Sequence, residues 1–213
     1  MHDLSPPQPD SQPEPQPHPM ATAMRAIEAR YLVGVDQVTE VWLARHGDCY
    51  EGMQIGGDGA DTQETDPPLS LPGRRQAERL AERLHRTGFS AVYASPLRRA
   101  QETARAIAPD VHLDGRLVEV ATSVQDTRLA VEEPLEDVAQ RMRAAVTDAA
   151  AAHPGGRIVL VGHGVAILAY LCDVMRLPPG SLRLFPFYTC VSVVRVHEER
   201  HVVGSIADTS HLE

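Results

Sequence analysis

Hydrophobic positions along this chain follow two patterns, short continuous apolar runs and longer segments in which apolar residues recur every three or four positions. The first pattern is typical of strands buried in a sheet, and the second of amphipathic helices. The apolar runs predict strands at 40–44, 91–94 and 157–161 and a closing hairpin of two strands, 191–196 and 201–206, around residues 198–200.

Four amphipathic segments alternate with these strands. They predict helices over 72–86, from Pro96 onward, over 135–152 and over about 165–175. The inward faces are predicted to carry Ala77, Leu80, Ala81 and Leu84 in the first helix, Leu97, Ala100, Ala104 and Ile107 in the second, and Leu135, Val138, Met142, Ala145 and Ala149 in the third. Alternating strands and helices predict an α/β fold, a three-layer sandwich with a largely parallel central sheet and helices on both faces.

The N-terminal segment has a different composition. Residues 1–20 hold 7 of the 17 prolines, separated mainly by Gln, Asp, Glu and Ser. Such a segment cannot bury enough apolar surface to fold, so we expect a disordered tail over 1–22 and one folded domain over 38–213.

Overall composition excludes several classes of function. No apolar run approaches the length of a membrane span, and the three cysteines, an odd and sparse set, fit a reducing cytoplasm better than a disulfide framework. A net charge of −9 gives no electrostatic reason to bind nucleic acid. All 20 basic residues are arginines, which excludes the lysine of P-loop, Schiff-base and kinase sites.

Unusual residues follow three of the predicted strands, at 45–47 (RHG), 95–100 (SPLRRA) and 162–164 (GHG). Ligands of open α/β sheets bind beyond the carboxyl ends of the strands, so two histidines and two or three arginines are expected to converge at one edge. Arginine forks match phosphate geometry, and neighbouring arginines keep a histidine neutral and able to attack phosphorus. The sequence therefore predicts a phosphoryl-transfer site.

Five stretches in order resemble motifs of the histidine phosphatase superfamily, which includes the cofactor-dependent phosphoglycerate mutases. They are 43–47 (LARHG), 69–77 (LSLPGRRQA), 94–104 (ASPLRRAQETA), 161–164 (VGHG) and 208–212 (DTSHL). The resemblance covers roughly residues 38–213. A bare RHG triplet is a weak signal on its own, but the five stretches together are specific.

This resemblance implies a role for each matching residue. His46 would be the nucleophile and carry a phosphohistidine, while Arg45, Arg99 and His163 would hold the phosphoryl oxygens, His163 also belonging to the catalytic set. Glu119 matches the position of the general acid and base. The resemblance implies no metal and no cofactor. The expected partner is a small-molecule phosphate ester, with a phosphoprotein still open, no nucleic acid and no membrane, and the oligomeric state is unknown.

Some residues depart from the family pattern or have simpler interpretations. Cys49 and Gly52 stand where many members have Ser or Thr and then an Asn that contacts the phosphoryl group, and residues 120–126 (VATSVQD) replace a stretch with Gly and Trp. Arg98 is expected to be a solvated neighbour of Arg99. Five further histidines are expected at the surface, namely His85, His112, His153, His197 and His201.

Three functions remain open from the sequence. His163 follows Glu119 by only 44 positions, whereas mutases carry a much longer insertion that covers the site. A mutase must keep water from its phosphohistidine, so the short interval favours a phosphomonoester hydrolase. A phosphoglycerate-mutase-type isomerase is the alternative. A catalytically silent phosphate-binding module is third, because the intact arginines and histidines argue against it.

Overall fold

The computed structural model describes residues 18–49, 66–120, 122–125 and 128–213, and the chain divides into two compact units, one ending at Gly34 and the other spanning Val35–Glu213. The described part of the first contains helix α1 (Pro19–Arg30), whose Met20 N–H donates to the His18 ring over 3.2 Å. Residues 19–22 are therefore helical, and the predicted tail is wrong there, because proline suits a first helical position and the Ala- and Met-rich residues after it favour a helix. The rest of the predicted tail, residues 1–17, lies outside the described residues.

The described residues of the second unit form two sheets. The strands are β1 (Thr39–Arg45), β2 (Ala91–Ala94), β3 (His112–Leu113), β4 (Thr122–Gln125), β5 (Arg128–Val131), β6 (Arg157–Gly162), β7 (Val191–His197) and β8 (Arg200–Asp208). The main sheet has the order β3-β2-β6-β1-β7-β8, in which the first four strands are parallel and the last two form an antiparallel hairpin. Strands β4 and β5 pair only with each other.

Four helices accompany the main sheet, α2 (Leu71–Thr87), α3 (Arg98–Ile107), α4 (Leu135–Ala151) and α5 (Gly164–Val174). Their bounds confirm the predicted helices to within two residues. Helix α3 begins at Arg98, not Pro96, and Leu97 caps it without lying on its buried face. Among the described residues, no helix has both the length and the apolar character needed to cross a bilayer.

The period-two alternation of β1 sorts its side chains between two cores. Val41 and Leu43 pack in one buried cluster with residues of α4 and α5, while Trp42 and Ala44 pack in another with residues of α2 and α3. Burying a leucine such as Leu43, which is 1% exposed, stabilises the fold by about 2 kcal/mol. Helices thus cover both faces of a mostly parallel sheet, which confirms the predicted α/β sandwich.

The C-terminal hairpin also matches its prediction, with the turn at Glu198–Glu199 between β7 and β8. His153 and His197, expected at the surface, are partly buried instead, and so is His201. The His201 ring contacts the Tyr170 hydroxyl at 2.6 Å and Thr147 Oγ1 at 3.1 Å. For His201 the prediction failed because residues of β8 face helices that are distant in sequence.

Parallel pairing fixes where the strands of the site end. Arg45 pairs with Gly162 across β1 and β6, and Ala94 pairs with Val161 across β2 and β6. The residues that follow these three strands are therefore neighbours at one edge of the sheet, as the sequence predicted.

Candidate active site

Backbone hydrogen bonds hold the three strand ends together. The His46 N–H donates to the Gly162 carbonyl over 3.0 Å, and the Ser95 N–H donates to the Val161 carbonyl over 2.9 Å. The rings of His46 and His163 lie 5.1 Å apart between centroids. The structure thus brings together the two histidines that the sequence singled out.

A close backbone contact positions the loop after β1. A Cβ atom on Gly47 would lie 2.5 Å from the Gly73 carbonyl oxygen, so only glycine fits there. The Gly47 N–H donates to Thr103 Oγ1 over 3.0 Å, and that hydroxyl donates to the Arg99 carbonyl over 2.8 Å. The loop that carries His46 is therefore tied to α2 and to α3.

The ring of His46 is buried and neutral. Its Nδ1 lies 2.7 Å from the Gly47 carbonyl, which can only accept a hydrogen bond, so Nδ1 carries the proton and Nε2 keeps its lone pair. Arg99 Nε donates to that Nε2 over 3.3 Å. Burial lowers the pKa of His46 to about 3, with Arg99 and Arg45 acting in the same direction and the Gly47 carbonyl opposing them. The ring thus has the form required of a nucleophile.

His163 is fully buried at the start of α5. Its Nε2 lies 2.9 Å from Ser95 Oγ, and burial, followed by the nearby His46, holds its pKa well below the usual value. Its Nδ1 has no hydrogen-bond partner among the described residues, and the same is true of Arg45 Nε. Two unsatisfied buried nitrogens in one site, each costing about 1–3 kcal/mol, are groups that a bound ligand can satisfy.

Arg45 reaches the site between a helix end and an aromatic ring. It donates to the Pro186 carbonyl, and its guanidinium carbon lies 4.0 Å from the Tyr188 ring centroid. A Cβ atom on Gly164 would lie 2.9 Å from Pro186 Cγ and 3.5 Å from Arg45 Cδ and Nε. Glycine at the start of α5 therefore makes room for the arginine.

Arg99 faces a carboxylate as well as His46. Its Nη1 lies 3.5 Å from Asp66 Oδ1, and the same carboxylate accepts the Arg98 backbone N–H over 2.8 Å. The Arg98 side chain is half exposed and pairs with Glu102 at 2.9 Å, which agrees with the prediction of a solvated neighbour. Asp66 is positioned to compete with an incoming anion for Arg99.

Glu119 lies at the N-terminal end of α5, the helix that follows His163. Its carboxylate accepts N–H bonds from Val120 over 3.0 Å, from Val165 over 3.3 Å and from Ala166 over 3.0 Å. The free N–H groups of a helix start favour a negative charge there. The structure therefore brings Glu119 to the helix end that follows His163, while its role in proton transfer stays a prediction.

Sequence reasoning missed several residues of the site. Asp66 and Tyr188 belong to no motif, and the aromatic run 185–188 (FPFY) is the one sequence signal that could have indicated Tyr188. Arg141 lay unnoticed within an amphipathic helix, yet it donates to the Val118 carbonyl over 2.8 Å. Such contacts join residues distant in sequence, and no local pattern encodes them.

The positions that depart from the family pattern have a mixed outcome. Cys49 is buried, and burial raises the pKa of its thiol, which disfavours a reactive thiolate. Gly52 lies outside the described residues. Within residues 18–49, 66–120 and 128–213, no group of three or more His, Cys, Asp or Glu side chains is placed to hold a metal ion.

Comparison with known proteins assigns the class. Residues 41–124 and 118–209 match the model of the histidine phosphatase superfamily, branch 1. The chain belongs to this superfamily, which confirms the resemblance seen in its motifs and the enzyme class of histidine phosphatases.

Individual relatives are more distant. The probable phosphoglycerate mutase GpmB of Enterobacter sp. (strain 638) is 28% identical over 209 residues, and that of Yersinia enterocolitica 29% over 211, each match covering 82% of this chain and 95% of the relative. Bacillus stearothermophilus YhfR is similar in structure, with 25% identity and a TM-score of 0.66 over 82% of this chain and all of that one. A phosphoserine phosphatase from Entamoeba histolytica shares the fold, with 21% identity and a TM-score of 0.65 over 82% of this chain and 100% of that one.

Proposed function

We propose that this protein hydrolyses phosphate monoesters through a phosphohistidine on His46. The observation that carries the proposal is the state of that ring, buried and neutral, with its proton fixed toward the Gly47 carbonyl and its Nε2 lone pair facing Arg99. Phosphoryl transfer requires a nucleophile of this kind surrounded by fixed positive charge.

In the first step, Nε2 of His46 attacks phosphorus and the bond from phosphorus to the ester oxygen breaks. Arg45, Arg99 and His163 hold the three non-bridging oxygens, and the two nitrogens that lack partners in the free site, His163 Nδ1 and Arg45 Nε, gain them. The protonated Glu119 carboxyl donates its proton to the leaving oxygen, so the alcohol departs neutral.

In the second step, the Glu119 carboxylate takes a proton from water as the water oxygen attacks phosphorus. The bond from phosphorus to Nε2 breaks, and inorganic phosphate leaves with the neutral ring restored. The position of Glu119 at the start of α5, the helix that follows His163, supports this assignment.

Small phosphate esters are the proposed substrates. Structural neighbours include proteins described as a phosphoserine phosphatase and a mycobacterial glucosyl-3-phosphoglycerate phosphatase, whose names state hydrolysis of small phosphorylated molecules. A phosphoprotein is the less favoured alternative.

A phosphoglycerate-mutase-type isomerase is the second candidate, favoured by the description of the GpmB relatives as probable phosphoglycerate mutases. The chain between Glu119 and His163 argues against it. Its described residues form the β4–β5 hairpin, α4 and β6, and the interval of 44 positions leaves little for a covering insertion. With so little chain available to cover the site, we expect water to reach the phosphoenzyme, which favours hydrolysis.

Rapid-quench trapping with phosphorus-labelled substrate tests the covalent step. We expect an acid-labile, base-stable phosphoenzyme in the parent protein and none in His46→Ala, whose turnover should fall at least about 10⁴-fold because the covalent route is lost. His112→Ala, which changes an exposed histidine, is the matched control and should behave as the parent. A label on Cys49 or on a serine would refute the mechanism.

A second assay separates hydrolase, mutase and silent module. The protein should release phosphate from an aryl phosphate, with or without EDTA, and should not interconvert 2- and 3-phosphoglycerate. Efficient interconversion with little phosphate release would establish the isomerase. Phosphate binding without any turnover would establish the silent module, and loss of activity on chelation with recovery on adding Mg²⁺ or Zn²⁺ would overturn a metal-free mechanism.

A further inference from the structure

The segment between α5 and β7 exposes two large aromatic side chains. Along residues 181–188, partly buried and exposed positions alternate, as in an extended chain lying against the domain. Phe185 is 63% exposed and Phe187 is 59% exposed. Their rings meet edge to face, with centroids 5.1 Å apart at an angle of 77°.

This aromatic pair is attached to the phosphoryl site through Arg45. The Pro186 carbonyl, between the two phenylalanines, accepts a hydrogen bond from the Arg45 guanidinium. The guanidinium carbon lies 5.8 Å from the Phe185 centroid. Tyr188, which follows Phe187, has its ring centroid 5.8 Å from that of His46. The aromatic pair therefore borders the phosphoryl site on the side of Arg45.

Exposure of both rings at this place is informative. Isolated apolar side chains at a protein surface are ordinary, but here two adjacent phenylalanine rings stay exposed although burying each would stabilise the fold. A phosphate bound to Arg45 would have the Phe185 ring nearby, because the guanidinium carbon lies 5.8 Å from its centroid. These rings offer stacking and apolar contact to the organic part of an ester but no hydrogen bond.

We propose that Phe185 and Phe187 form a platform that selects the alcohol part of the substrate, so that the enzyme prefers phosphate monoesters of small alcohols bearing an aromatic ring over those of polyhydroxylated alcohols. The inference rests on the proposed function, since it concerns the same site. Polyols gain little from the platform because stacking does not replace the hydrogen bonds that their hydroxyl groups make with water.

Two esters with leaving alcohols of similar acidity test this preference, 2-phenylethyl phosphate and n-propyl phosphate, with glycerol 1-phosphate as the polyol. We expect kcat/KM to be at least about tenfold higher for the phenylethyl ester than for the propyl ester or glycerol 1-phosphate. This advantage should disappear in Phe185→Ala/Phe187→Ala, mainly through a higher KM. Phe185→Leu/Phe187→Leu keeps apolar area without flat rings and should recover only part of it. Leu113→Ala, which shortens an exposed apolar side chain on β3, should leave the advantage unchanged.

A binding measurement separates failure of this inference from failure of the proposed function. Calorimetry on His46→Ala should show tighter binding of the phenylethyl ester than of the propyl ester, and the two phenylalanine substitutions should remove the difference. If no ester is hydrolysed but this difference persists, the platform stands and the hydrolase proposal fails. Equal binding and equal kcat/KM for the two esters overturn the platform, as does a preference seen only with phosphotyrosine peptides.

Discussion

The two sides of the candidate site are built by different means. On the phosphoryl side, His46, Ser95 and His163 follow adjacent parallel strands, and backbone hydrogen bonds of the sheet fix where they lie. On the side that we propose for the leaving group, Glu119 and the aromatic pair lie in connecting segments outside the sheet. Among the described residues, arginine side chains hold these segments through their backbone carbonyls.

Two arginines hold loop backbone in this way. Arg141 donates to the Arg116 carbonyl over 2.6 Å and to the Val118 carbonyl over 2.8 Å, and Glu133 holds its guanidinium through two contacts of 2.8 and 3.0 Å. Arg45 likewise holds the Pro186 carbonyl. Loops held by single side chains can change without disturbing a sheet, so the fold can keep its phosphoryl chemistry while the selection of alcohols varies.

The largest expected effect comes from disturbing the phosphoryl side at its backbone. In Gly47→Ala the new Cβ would overlap the Gly73 carbonyl, and because both belong to the main chain, the loop carrying His46 must shift. We expect the free energy of unfolding to fall by about 3 kcal/mol and turnover to fall about 100-fold or more for every ester alike.

Urea unfolding and steady-state kinetics measure both losses. Gly115→Ala is the matched control, because a Cβ at that position meets nothing within 4 Å. Its unfolding free energy should stay within about 0.5 kcal/mol of the parent. A Gly47→Ala protein with normal turnover would show that the loop after β1 is not held as tightly as the strand ends suggest.

A smaller and selective effect is expected on the leaving-group side. Arg141→Gln removes the forked donors that hold the segment carrying Glu119 and breaks the ion pair between Arg141 and Glu133. We expect hydrolysis of alkyl esters, which need a proton donor, to fall about 30-fold, and hydrolysis of 4-nitrophenyl phosphate to fall less than about threefold.

The unequal loss for good and poor leaving groups is measured as the slope of log kcat/KM against the pKa of the leaving alcohol. We expect this slope to be steeper in Arg141→Gln than in the parent. Arg141→Lys, which keeps the charge but not the forked donors, should recover part of the original slope. Equal losses for good and poor leaving groups would mean that Arg141 supports only the fold.

The same contrast explains what the sequence could predict. The strands β1, β2, β6, β7 and β8, the helices α2 to α5 and the convergence of His46, Arg99 and His163 follow from local periodicity and from the rule that parallel strands end together. Helix α1, strand β3, the β4–β5 hairpin and the contacts of Arg141 and Asp66 were not predicted. They depend on short segments with weak patterns or on side chains that bond to distant backbone, and neither leaves a repeat in the sequence.

The smallest expected effect is a difference in acid sensitivity caused by the buried ring of His46. Its pKa is about 3 in the folded protein and near 6.5 in an unfolded chain, so between these values the unfolded state binds a proton that the folded state does not. The contribution to stability is therefore complete above pH 6.5 and is lost as the pH falls toward 3. Between pH 7 and pH 5, this ring should remove about 1–2 kcal/mol of unfolding free energy.

His201, with a pKa lowered by burial to about 4, adds a similar loss to parent and variant alike. His46→Gln should thus lose about 1–2 kcal/mol less than the parent over this range, measured by urea unfolding at both pH values, and any pH-independent cost of the substitution cancels. His112→Gln, at an exposed position, should retain the acid sensitivity of the parent. If His46→Gln is as acid-sensitive as the parent, the ring is not held neutral by the fold, and the neutral nucleophile of the proposed mechanism loses its physical basis.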